Sequence, residues 1–372
     1  MTPSTSLYRE RFACTLAHQV PDRVPMDLDA TDMTGIDGGP RRLAPLLGIN
    51  PSAFASDADT DEAVLRALDI DIRGVGGILP TDSKLARRVS ATELIDMWGI
   101  GYRFNGHHFE AVDRPLQDAT LADLDKYPWP DPDRLDPAVL TGIAERARFL
   151  YERTPYVVCA RHPCFGVLEL GCWMCGFEDF LYRLAAEPEF VRRFFDIIHA
   201  YQTRIQARYY AAVGPYIHFT TSGDDFGTQT GPFLSPAMFA DLVAPSLTAR
   251  IRQIRGFTDA AFFHHTCGSV FALIPHLLAA GVEILNPIQP RATDMEPDRL
   301  KSAFGDRLTF YGGVDTQWLL PQGTVAEVEE TTRALIRTLG KSGGFILSAA
   351  HTLQEDIPQE NILALYRAGR GE

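Results

Sequence analysis

The sequence predicts an α/β protein of the (β/α)8, TIM-type barrel class, carrying an N-terminal elaboration of helices and a β-hairpin. Two observations predict it. From about residue 133 onward, apolar runs of four or five residues alternate with segments of helical period, as parallel βα units do. Nearly every apolar run ends in polar residues, which suits a barrel opening all its strand ends on one face better than an open sheet with one switch point. Neither G-x-G-x-x-G nor G-x-x-x-x-G-K-[ST] occurs, so a nucleotide site has no support.

Taken in order, residues 7–18 read as a short helix, and the turn at 21–25 leads to a first strand at 24–28. That strand ends among Asp27, Asp29 and Asp32 with Thr31 and Thr34, a stretch that either faces a pocket, with Asp29 a candidate for substrate binding, or forms a solvated loop. Residues 38–50 suggest a turn and one small helix, and 59–68 a helix. Residues 70–114 alternate apolar and polar positions, the period of strands or a hairpin, and resemble an insertion more than a βα unit. His107 and His108 follow Asn105-Gly106 as a hairpin turn; adjacent histidines on a strand face opposite ways and make a poor ligand pair. Residues 115–132, with prolines at 128, 130 and 132, read as an irregular surface connection.

Beyond it, helices are expected at 137–151, 177–185, 188–213 and 297–304. Ser235-Pro236 starts another helix, Ser269 is a plausible N-cap for one running to about residue 280, and Thr324 with Glu327 is a capping box for one reaching Gly340. Strands are expected at 156–160, 216–220, 260–263, 282–285, 308–311 and 345–347. The whole reads as a single barrel domain over 1–372, its N-terminal part extending to 132 and its regular βα units following from 133.

A net charge of −13 and an isoelectric point near 5.2 argue against a nucleic-acid or anionic-membrane partner, which would require clustered Lys and Arg. A small-molecule substrate fits better. The start has no basic flank or apolar core of signal length, and no run of about 18 apolar residues occurs, so a cytoplasmic protein is expected. The six cysteines, at 14, 159, 164, 172, 175 and 267, are too sparse for a disulfide scaffold. Cys172 and Cys175 have C-x-x-C spacing, as a redox pair would, but stand in an apolar segment where packing accounts for them as well.

Chemistry is expected at residues 263–268, where an apolar strand runs into His264, His265 and Cys267. His265 and Cys267 are two apart, so on an extended strand end both point the same way and can meet one ion; the alternative is a buried thiol beside a core histidine. In a barrel, Asp224, Asp225, Asn286, Gln289, Asp315 and His351 converge on the same face. His351 completes a Cys-His-His set with an open fourth position, a catalytic zinc arrangement whose Lewis acidity would act on an ether, thiol or carbonyl; the alternative is a neutral hydrogen-bonding residue at the mouth. Of Asp224 and Asp225 only one is expected to enter the site, as base or ligand, because alternate residues face in and out. His264 is a further acid/base candidate, with Asn286, Gln289 and Asp315 candidates for holding substrate.

The run from Gly223 to Pro232, with His265-Thr266-Cys267-Gly268-Ser269, residues 281–287, Tyr311-Gly312-Gly313-Val314-Asp315-Thr316 and Pro358-Gln359-Glu360-Asn361-Ile362, resembles the uroporphyrinogen decarboxylase superfamily, closest to its corrinoid-linked methyltransferase branch. The resemblance implies a βα barrel and, for the branch, a zinc held by H-x-C and a later cysteine, hence ligand roles for His265 and Cys267. Where the later cysteine is expected the chain reads Ala349-Ala350-His351, so either His351 substitutes or the third ligand is lost. The decarboxylase's arginine-rich start is replaced by the acidic 27–32 stretch, unsuited to a substrate with many carboxylates.

The expectation is therefore a methyltransferase or O-demethylase with one zinc per chain. It would move a methyl group from a small methylated compound, such as a methoxyaromatic, to a separate corrinoid protein; no D-x-H-x-x-G corrinoid motif occurs in the chain itself. The alternatives are a corrinoid-independent decarboxylase or lyase using Asp and His on the same barrel, and a non-catalytic binding barrel. A homodimer is compatible with the resemblance.

Overall fold

A computed structural model describes residues 6–81, 83–106 and 109–372; the expected His107-His108 turn lies outside the described residues. The chain builds one curled sheet of seven parallel strands: β1 (Ile72–Gly76), β6 (Val157–Arg161), β7 (Phe219–Thr220), β8 (Ala261–His265), β9 (Ile284–Ile288), β10 (Thr309–Val314) and β11 (Phe345–Ala349), adjacent in that order. A separate antiparallel sheet holds β2 (Arg87–Arg88), β3 (Glu93–Ile95), β4 (Gly101–Phe104) and β5 (Phe109–Asp113). The fold is thus α/β with a parallel curled sheet, compatible with a TIM-like barrel.

The expected first strand at 24–28 appears as a single parallel bridge, Met26 to Leu347. Leu347 N–H donates to Pro25 O (2.8 Å), Asp27 N–H to Leu347 O (3.0 Å) and Asp71 N–H to Met26 O (3.0 Å), so this segment lies between β11 and the chain entering β1.

Side chains alternate across each strand, and the two faces bury different cores. The inward set is small: Ile72, Val157, Cys159, Phe219, Ala261, Phe263, Ile284, Tyr311 and Ile346 close on one another, joined by Phe12 from the helix Leu7–Leu16. Phe12 stacks on Phe219 with ring centroids 5.3 Å apart. The outward residues, among them Val158, Ala160, Phe262, Leu285, Phe310 and Leu347, join the larger core beneath the helices. Because the apolar layer fills the interior, the polar residues that follow it on each strand are raised to the mouth.

Several boundaries differ from the sequence reading for physical reasons. β1 belongs to the parallel sheet, pairing residue for residue with β6, so only 87–113 is the insertion. Trp98 in that insertion is buried against Tyr201 (4.8 Å between centroids), and Tyr127 Oη donates to Trp98 O (2.6 Å), fastening it to the helix Pro188–Val213. β8, β9 and β10 run beyond their apolar stretches and include His264 and His265, Asn286, and Gly312 with Gly313, since the ladder continues where side chains are already polar. Ser269 does not cap a helix: a 3-10 turn at Phe271–Leu273 comes first, and the helix Ile274–Ala280 carries Pro275 in its first turn, where a missing N–H costs nothing. Residues 115–132 include a short helix, Leu121–Leu124, with a capping box between Thr120 and Asp123. Cys172 and Cys175 lie buried on the helix Val167–Cys175, and burial pushes the Cys175 thiol up to about 12, which suits packing rather than redox exchange.

Candidate metal centre

β8 places Ala261, Phe263 and His265 on the inward face, so His265 stands one step above the apolar layer. Thr266 N–H bonds Asn286 O (2.8 Å), holding the chain to β9 for one more residue before it turns. The turn is made by Gly268, whose φ of 83° is left-handed and whose Cβ, if present, would lie 2.5 Å from Thr228 O. The result brings Cys267 Sγ to 3.3 Å from His265 Nε2. His351, just past β11, turns its ring toward His265, with centroids 5.5 Å apart at 73°. One ligand atom from each of His265, Cys267 and His351 lies within 4.8 Å of the other two. Ligands on a tetrahedral zinc stand roughly 3.5 Å apart, so modest side-chain adjustment would meet one ion.

The surroundings orient these groups. Asn286 Oδ1 lies 2.6 Å from His265 Nδ1, placing the ring proton on Nδ1 and leaving Nε2 bare. Asp225 Oδ1 accepts the Cys267 N–H (2.8 Å) and stands 3.7 Å from His265 Nε2. Gln289 Oε1 accepts from Gly268 N–H (2.8 Å) and braces the turn. His351 differs: its Nδ1 accepts Thr352 N–H (2.8 Å), which leaves the proton on Nε2, so ligation by His351 requires that proton to leave or that bond to break. Burial lowers both histidines, His351 to about 4, and burial followed by Asp225 and Glu169 raises the Cys267 thiol. Without metal the set is a thiol and two neutral imidazoles, and the chemistry of these donors fits zinc once the thiol is deprotonated.

The remaining expected residues are distributed differently. Asp225 faces the centre, whereas Asp224 faces the helix Val167–Cys175 and accepts from Leu168 N–H (3.1 Å) and Glu169 N–H (2.8 Å). His264 points outward into the core, its Nδ1 2.8 Å from Ser222 Oγ and its ring stacked on Phe226. The Asp315 carboxylate accepts three backbone N–H groups, from Gln317, Trp318 and Leu319, at the start of the helix Leu319–Gln322. Asp29 sits on the mouth in the left-handed region (φ 66°), and burial, opposed by Arg161, raises its carboxyl to about 6.

Three residues that the sequence reading passed over also stand here. Glu169, in the first turn of the helix Val167–Cys175, is raised to about 9 by burial, then by Asp225 and Asp224, so it is a neutral acid at neutral pH. Arg161 ends β6 and His162 follows it, with Arg161 Nη2 donating to Asp29 O (2.5 Å). The rule of polar strand ends would have found Arg161 and His162; nothing local marks Glu169.

A family model described as uroporphyrinogen decarboxylase (URO-D) matches residues 93–371. No curated protein matches the chain in sequence. Among solved structures it is similar to a methyltransferase from Methanosarcina mazei, with a TM-score of 0.63 and 16% identity over 99% of both chains. At that identity the likeness speaks to the fold alone.

Proposed function

The chain belongs to the uroporphyrinogen decarboxylase family, and from that premise we propose that it is a zinc-dependent methyltransferase or O-demethylase, moving a methyl group from a small methylated compound, such as a methoxyaromatic, to a separate corrinoid protein. In this reading residues 24–28 complete an eight-stranded barrel between β11 and β1. The observation that carries the function is the convergence of His265, Cys267 and His351 within 4.8 Å, with Asn286 already holding the His265 tautomer that ligates. A similar fold in a protein named as a methyltransferase supports it. Zinc, when bound, supplies Lewis acidity toward the heteroatom that carries the methyl group. The chain's own residues do the rest. Asp225 lies beside the ligand pair, poised to complete the shell or hold a proton. Glu169, its carboxyl held neutral by burial and by Asp225 and Asp224, would be the proton source for a departing heteroatom.

A second reading, a corrinoid-independent lyase or decarboxylase, draws on His351: with Thr352 N–H on Nδ1, its neutral ring offers Nε2–H as a hydrogen-bond donor that could polarise a substrate carbonyl. A polycarboxylate substrate suits neither reading, because Asp29 and Asp32 already occupy Arg161, which donates to Asp29 O (2.5 Å) and stands 3.7 Å from Asp32 Oδ1.

The test is metal content by mass spectrometry on protein purified without a histidine tag, for wild type, Cys267→Ala and His351→Ala. About one zinc per chain, lost in both variants, is expected. Folded, active wild type without zinc would overturn the metal mechanism in favour of the lyase.

A further inference from the structure

Beside the metal centre, the end of β6 carries an imidazole that the methyl-transfer reading leaves unused. His162 is 5% exposed and is tied twice to Thr221: its backbone N–H donates to Thr221 Oγ1 (2.8 Å), and its Nδ1 lies 3.0 Å from the same oxygen. Asp32 Oδ2 stands 3.6 Å from that nitrogen. A carboxylate there selects the tautomer with its proton on Nδ1, since the other sets a lone pair against negative charge. Burial raises the Asp32 carboxyl, and Arg161 Nη1, 3.7 Å from Asp32 Oδ1, opposes that shift in favour of the carboxylate. Burial, then Arg250, keeps the ring neutral, lowered to about 3. Nε2 is therefore a bare acceptor, and among the described residues no donor is bonded to it.

Gly223 shows where that acceptor points. It pairs with His265 across the parallel ladder, so a Cβ at 223 would project to the same side as the His265 side chain. Such a Cβ would lie 3.8 Å from His162 Nε2, 3.7 Å from its Cε1 and 3.7 Å from Met33 Cε. The edge of the His162 ring thus borders the space into which His265 projects, and the missing side chain at 223 keeps it open.

We propose that His162 determines specificity: its Nε2 accepts a hydrogen bond from an O–H or N–H of the substrate, beside the heteroatom held at the metal centre. The substrate class is a small methylated compound that keeps a free donor next to its methyl-bearing atom, in preference to its fully methylated analogue. This rests on the methyl-transfer reading. It differs from a pocket that selects by shape alone, because a site built around a substrate donor rejects an analogue lacking one more strongly than it rejects an added methylene.

The test uses two probes that differ only in this respect, guaiacol (methoxy beside hydroxyl) and veratrole (methoxy beside methoxy), titrated calorimetrically into zinc-loaded protein. Zinc content and thermal midpoint are measured on each sample first, so failure of the metal centre or of folding is seen separately. Wild type should bind guaiacol at least about tenfold more tightly than veratrole. His162→Phe, which keeps a ring and removes the acceptor, should abolish the preference at unchanged zinc content, and His162→Gln should restore part of it. Equal binding of the two probes, binding of neither, or a preference that survives His162→Phe would overturn the inference. Wild type that takes up no zinc would instead sink the methyl-transfer reading beneath it.

Discussion

Asn286 Oδ1 lies 2.6 Å from His265 Nδ1, while Asn286 Nδ2 donates to Tyr311 O at 3.3 Å. The second bond fixes which end of the amide faces the histidine, so His265 Nδ1 must carry the proton and Nε2 is offered to metal. Asn286→Ala removes that constraint without touching a ligand. Zinc affinity should fall about 10- to 100-fold, the usual effect of losing such a partner. Competition with a chelator measures it, and an unchanged affinity would show that β8 alone orients the ring.

The proton count of metal binding follows from the same centre. Burial holds His265 and His351 below the ordinary histidine range and the Cys267 thiol above its own. At neutral pH only the thiol has a proton to lose on ligation, provided the His351 ring reorients as a neutral imidazole. Zinc binding should release about one proton, and affinity should rise about tenfold per pH unit while the thiol remains protonated in the free protein. Calorimetry in buffers of different ionisation enthalpy counts the protons; a value near zero would remove Cys267 as a thiolate ligand.

Asp224 gives a pH dependence of a different kind. Its carboxylate accepts two helix N–H groups, yet burial outweighs them and the folded-state pKa is raised to about 6. An unfolded aspartate titrates at about 3.9, so the folded chain holds this proton to higher pH. The resulting stabilisation is complete below the unfolded value and is lost as pH rises through about 6. Two units correspond to about 3 kcal/mol. Relative to Asp224→Asn, wild type should lose about that much stability between about pH 4 and pH 7. Urea denaturation at several pH values tests it, and parallel curves for the two proteins would refute it.

What was legible in the sequence divides along physical lines. Alternation of apolar runs with helical segments carried the parallel sheet, because strands buried on both faces cannot hide their composition. His265 and Cys267 were legible as a pair because strand period alone fixes their common direction. β1 was misplaced with the insertion, because Ile72-Arg73-Gly74-Val75-Gly76 is short and interrupted, and its partner β6 lies more than eighty residues away. Asp224 and Asp315 could be named as strand-end acids, but not assigned to capping, since the N–H groups they accept belong to the helices Val167–Cys175 and Leu319–Gln322, neither of which the sequence reading placed. Glu169 was invisible because its acidity depends on burial beside Asp225 and Asp224, a tertiary fact.

The base of the curled sheet offers a test of the fold independent of any chemistry. Phe12 is 3% exposed, stacks on Phe219 and belongs to the small inward core rather than the core under the helices. The helix carrying it precedes every strand in sequence, and its Arg11 ion-pairs with Asp22 (2.7 Å) and with Asp71, which are tied to the start of the sheet. Phe12→Ala would open a cavity at the base of the curled sheet, where the strands of its inward face restrict collapse, and should cost about 3–5 kcal/mol. Because the inward layer separates Phe12 from the mouth, zinc stoichiometry should survive under conditions where the variant remains folded. A loss under about 1 kcal/mol in denaturant unfolding would mean the helix is not seated against the inward face of the curled sheet.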